Sequence, residues 1–115
     1  MSLSQQSAPL RRPDPRYRCY TGGHSTATLS IELANGESLG FAWARFSRYH
    51  FDREKLVLTF ADERIEIQGR NLPKLLGDIR QFHLETLREL PPDYGALADP
   101  GEPFVTRIVV QQSEQ

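Results

Sequence analysis

ATLSIELANGESLGFAW, residues 27–43, decides the architecture. Leu29, Ile31 and Leu33 alternate with Thr28, Ser30 and Glu32, and Leu39, Phe41 and Trp43 alternate with Ser38, Gly40 and Ala42, the period of two that marks a half-buried strand. Between the runs sits Ala34-Asn35-Gly36. A two-residue turn on Asn35-Gly36 would pair Leu33 with Ser38 and mix large and small side chains on each face. A three-residue connection, with a type I turn at Ala34-Asn35 and Gly36 left-handed as a bulge, pairs Ile31 with Leu39 and Leu29 with Phe41. It puts every large apolar side chain on one face. A one-residue slip would reverse the faces, so this register is the expectation. The opposite face, with Thr28, Ser30, Glu32, Ser38, Gly40, Ala42 and Ala44, is flat and poor in bulk, so it is either solvated or closely approached by another backbone.

Working outward, the first hairpin is expected over 27–33 and 38–46, and a second over 56–61 and 64–68, where Leu56, Leu58 and Phe60 and then Ile65 and Ile67 alternate with polar residues. After Gly69 the period changes to that of a helix, about 72–82, carrying Leu72, Leu75, Leu76 and Ile79 on one stripe. Asn71 is the expected N-cap, with Pro73 in the first turn. Residues 83–90 suit helix or strand and are read as a strand, because the apolar run 104–110 needs a partner. The fold class is therefore α+β: an antiparallel sheet of consecutive hairpins, one main helix on its apolar face, and a C-terminal strand at 104–110. Residues 21–111 form the expected single domain, flanked by a disordered basic tail (1–20, with Pro9, Pro13 and Pro15) and a polar tail (112–115).

Composition narrows the function classes. Hydrophobic content of 38% and charged content of 25% are those of a soluble globular chain, and no apolar run approaches the roughly 20 residues of a membrane span. The cytoplasm is the expected compartment. Cys19 is the single cysteine, so no internal disulfide can form; it reads as an incidental thiol beside the tail. Net charge is −1, divided between +3 in the first twenty residues and −4 in the rest. An acidic body is a poor match for nucleic acid, whose binding rests on neutralised phosphates.

No metal-ligand spacing links His24, His50, His83 and Cys19, no nucleophile elbow surrounds the serines, and no phosphate-binding loop follows Gly22-Gly23. No catalytic residue, metal or cofactor is assigned. The stretch ARFSRYHFDREK, residues 44–55, interleaves basic and aromatic groups, and Arg45, Arg48, Tyr49, His50 and Arg53 are the candidate binding residues. Ser38, Gly40, Ala42 and Ala44 are the candidate interface. The loop at 91–103, PPDYGALADPGEP, is long enough to be functional or disordered.

One family resemblance can be traced. Ile67-Gln68-Gly69-Arg70-Asn71-Leu72 resembles the second signature of the Sm-like RNA-binding family, and Asn35-Gly36 followed by Gly40 resembles the first. That resemblance implies an RNA pocket closed by Gly69 and Asn71. The chain departs from the pattern: Gln68 stands where the family carries arginine, the first motif's RNA-contacting residues are missing, and the helix follows the strands. The family is not assigned. The leading expectation is a non-catalytic protein-interaction or regulatory module that partners another protein or self-associates. A nucleic-acid-binding module using 44–55 and the N-terminal tail comes second, and an enzyme with a site near 91–103 third.

Overall fold

A computed structural model describes residues 18–112. In chain order these form β1 (Tyr20–Gly22), β2 (Thr28–Glu32), β3 (Ser38–Ala42), a 3-10 turn (Trp43–Arg45), β4 (Phe46–Asp52), β5 (Lys55–Phe60) and β6 (Glu63–Arg70). A second 3-10 turn (Leu72–Leu75) runs into α1 (Leu76–Arg80), followed by β7 (Leu84–Arg88), a third 3-10 turn (Pro92–Ala96) and β8 (Phe104–Gln112). The chain is sheet-rich with one short helix, in keeping with the α+β class.

The expected single sheet is two sheets, ordered β1-β7-β2-β3 and β4-β5-β6-β8. The cause lies at residues 42–46. Strand β3 stops at Ala42, the 3-10 turn buries Trp43, and the chain re-emerges as β4, a strand in its own right where the sequence reading had the end of one hairpin and a connector. The second sheet begins as a meander, β4-β5-β6, rather than an isolated hairpin.

The register of the first hairpin follows the alternation argument. Leu29 pairs with Phe41 and Ile31 with Leu39. Gly36 has φ +97°, its N–H donates to the Leu33 carbonyl at 3.0 Å, and Leu33 N–H donates to Glu37 O at 2.8 Å, which closes the turn and bulge. Residues 84–88 are a strand, but for a different reason than the one expected. β7 lies between β1 and β2, antiparallel to the first and parallel to the second, whereas β8 pairs with β6.

The helix expected over 72–82 is broken and short. The first turn, which holds Pro73, is 3-10, Gly77 weakens the middle, and Phe82 at φ 60° reverses the chain. Asn71 does not cap: it is left-handed (φ 58°), and its side-chain amide donates to Pro100 O at 2.9 Å and Glu102 O at 3.1 Å. The loop at 91–103 is thereby tied down, with Arg70 Nη2 donating to Gly95 O at 2.7 Å and Lys74 Nζ to Gly101 O.

One apolar core joins the sheets. It takes Leu29, Ile31, Phe41 and Trp43 from one side, Leu56, Leu58, Phe60, Ile65 and Ile67 from the other, and Leu72, Leu75 and Ile79 from the helical segment. Trp43 anchors it: its ring lies 5.2 Å from those of Phe46, Phe60 and Phe82, and its Nε1–H donates to Leu84 O at 3.0 Å. Phe82 is a bulky residue in left-handed backbone, a conformation that costs about 1–3 kcal/mol. Its ring is stacked on Trp43 at an interplanar angle of 13°, which offsets that cost.

Cys19 and Tyr20 belong to this body rather than to the basic tail. Gln112, expected in the polar tail, pairs with Glu63 as the last residue of β8, and residues 1–17 and 113–115 of the expected tails lie outside the described residues. The Cys19 thiol is fully buried, donates to Pro103 O at 3.0 Å, and is pushed by burial from 9.0 up to about 11. The unfolded chain therefore ionises Cys19 first. Its contribution is complete below about pH 9 and is lost as pH rises toward about 11, amounting to about 2–3 kcal/mol. Burial also raises Tyr20, in the same direction. Unfolding free energy measured from pH 8 to 11 should fall in the wild type and fall less in Cys19→Ala; identical profiles would show that the thiol is not held in the core.

Candidate functional site

The residues singled out at 44–55 do not share one surface. The register pairs Arg48 with Thr59 and His50 with Val57, on the outer face of the second sheet, whereas Tyr49 and Phe51 pair with the core residues Leu58 and Leu56 and face inward. Tyr49 packs against the core, and its hydroxyl accepts from Arg80 Nη2 at 3.1 Å. Arg45 lies in the 3-10 turn, and Arg53 at the β4–β5 turn with φ 59°. Basic and aromatic side chains that interleave in sequence are thus sorted to opposite faces, because a strand's period is two.

Ser38, Gly40 and Ala42 do come together. All three are exposed and lie on the outer face of β3, at the edge of its sheet. Ala44 is exposed too, but sits beyond the strand in the 3-10 turn.

Their backbone is as informative as their side chains. In an antiparallel pair, opposite residues alternate between exchanging both hydrogen bonds and exchanging none. Leu33–Glu37 is a bonded pair at one end of the hairpin, and Trp43 N–H donates to Ala27 O at 2.9 Å at the other. Counting between these ends, Leu39 and Phe41 bond to β2. Ser38, Gly40 and Ala42 instead direct their N–H and C=O groups away from the sheet. Among the described residues none of these groups has a hydrogen-bond partner.

The other three sheet edges are guarded. β1 is only three residues long. β4 carries a bulge at Ser47 and the charged side chains of Arg48 and Asp52. β8 is covered by Leu90, whose N–H donates to Val105 O at 3.1 Å, and by Glu89, whose Oε2 accepts from Ile108 N–H at 3.0 Å. Short length, bulges, charge and cover are the devices that keep sheet edges from pairing. β3 has none of them: its outward-bonding residues are serine, glycine and alanine.

The sequence pattern located the small residues. It did not identify the bonding parity that makes them an edge, because that requires knowing which end of the hairpin is bonded.

The residues that carried the Sm-like resemblance have structural duties here. Gly69 sits within β6 opposite Val105, where a Cβ would clash with the Phe104 carbonyl oxygen, and Asn71 holds the 91–103 loop. Comparison of the chain with family models, curated proteins and solved structures finds no match. Among the described residues, no three His, Cys, Asp or Glu side chains cluster as a metal site, and no helix is long and apolar enough to cross a membrane.

Proposed function

We propose that this protein is a non-catalytic interaction module that works by adding a strand to the open edge of β3, and that its first partner is a second copy of itself. The unguarded row of backbone donors and acceptors at Ser38, Gly40 and Ala42 carries this reading. Strand addition gains affinity from main-chain bonds and needs little side-chain bulk at the seam.

The edge is self-complementary about a two-fold axis at Gly40. Gly40 would exchange both backbone bonds with its mate, and Ser38 would do so with Ala42 of the second chain. Half-buried Leu39 would meet Phe41 of the partner on the core side. Exposed Glu37 and Arg45 flank β3 at opposite ends, so an antiparallel seam sets each carboxylate beside a guanidinium of the other chain. A parallel seam would set like charges together. Such end charges select orientation more than they add affinity.

Ala42→Pro tests this with little disturbance to the monomer. Ala42 has φ −73°, close to proline's own value, and its N–H points out of the sheet. Light scattering on the wild type should give a mass that rises with concentration from 13.1 kDa toward twice that value. Ala42→Pro should stay at the monomer mass while melting within about 1 kcal/mol of wild type. Glu37→Arg should weaken association, and pairing it with Arg45→Glu should restore it. A wild-type mass fixed at 13.1 kDa, or a proline variant that associates like wild type, would overturn the proposal.

A further inference from the structure

A groove of about 650 Å³ opens at the far end of the second sheet, away from β3. It is lined by the β4–β5 turn, with Arg53 and Lys55, by β6 at Gly69 and Arg70, by β8 at Phe104, and by the 3-10 turn at Gly95. Its volume lies in the range of small-molecule sites.

Arg70 is the organised group. Its guanidinium lies 5.3 Å over the Phe104 ring, and one of its amino groups donates to Gly95 O at 2.7 Å. The ring is itself fixed, since Phe104 is buried. A guanidinium carries five donors in a planar fork, and these two contacts immobilise the plane while using only part of that capacity. No carboxylate among the described residues lies within ion-pair distance of Arg70 or of Arg53 across the groove. Lys55, by contrast, is engaged by Glu66 at 3.8 Å.

A structural arginine that only stapled the 91–103 loop would need the Gly95 bond and nothing more. The fork, with Arg53 lining the same groove, is what an oxyanion requires. Asp52 and Glu54 also line the groove and limit the net positive charge. The fit is therefore to a compact anionic group rather than to a polyanion.

We propose that this groove binds an oxyanion, phosphate or carboxylate, carried by a small molecule, with Arg70 as the oriented receptor and Arg53 as the second cation. Inorganic phosphate and succinate, titrated separately and followed by the arginine side-chain N–H resonances, should each report on the site. Saturable shifts at Arg70 and Arg53 with either probe support it, and the probe that binds more tightly tells phosphate from carboxylate. Arg70→Lys keeps the charge but not the fork and should weaken binding at least tenfold. Arg64→Lys, near the other end of β6 and not lining the groove, should leave it unchanged. A thermal melt of each variant separates lost binding from lost fold. No shift with either probe, or equal affinity in a folded Arg70→Lys protein, would overturn the assignment.

Discussion

Gly69→Ala is expected to cost about 3 kcal/mol or more, an overpacking penalty at the upper end of its class. A Cβ at Gly69 would collide with the Phe104 carbonyl oxygen and lie 2.9 Å from its carbon, and both are backbone atoms of the neighbouring strand. A side-chain neighbour could rotate away. Here β6 and β8 would have to part at the bulge between Gln68 and Gly69, where Gly69 faces Val105. The domain has about 5–15 kcal/mol of stability to lose. For a domain of this size the change corresponds to a drop in Tm of more than roughly 12 °C. Gly77→Ala is the matched control, because a Cβ there meets nothing within 4 Å and the residue lies in α1. It should be neutral or stabilising by about 0.5–1 kcal/mol. Calorimetry on the two variants decides the matter: equal melting temperatures would mean that β6 and β8 do not approach as described.

Trp43→Ala is expected to cost about 3–5 kcal/mol, measured by urea unfolding followed in the far ultraviolet. The loss has three parts. The buried ring leaves a cavity among Phe46, Phe60 and Phe82, the Leu84 carbonyl loses its donor, and Phe82 keeps a strained backbone without the stacked ring that offsets it. Trp43→Phe separates the parts. It retains a ring for Phe82 but no N–H for Leu84 O, so its expected cost is about 1–3 kcal/mol. A cost below about 1 kcal/mol for Trp43→Ala would show that the aromatic cluster is not the anchor of the two sheets.

How far the fold was legible depended on whether a residue's constraint was local. The register of the first hairpin could be read because Gly36 and the alternation of Leu29, Ile31, Leu39 and Phe41 are neighbours in sequence, and a slip inverts both faces at once. The division into two sheets could not. β4 has charged residues on its outer face and half-buried aromatics inward, a pattern that also fits a connector until β5 is known to pair with it. The pattern overextends the helix because a 3.6-residue stripe records burial of Leu72, Leu75 and Ile79, and a 3-10 turn followed by one short helix buries the same side chains. The candidate surfaces divide along the same line. Ser38, Gly40 and Ala42 lie within one strand and share a face by alternation alone, whereas the Arg70 groove is assembled from four separated segments and leaves no local trace.

The place of β7 bears on how the chain is made. β2 lies between β3 and β7, and Ile31 pairs with Leu87, more than fifty residues later in the chain. On the ribosome the first hairpin therefore emerges with both flanks bare, and the flank facing β7 stays so until Arg88 has cleared the exit tunnel. Long-range pairings of this kind are entropically late and set the pace of folding. The nascent hairpin is thus stickier than the finished domain. The vulnerable interval in this protein's life is the time taken to translate residues 43 to 88, when a strand edge that the native fold hides is still open to any passing chain.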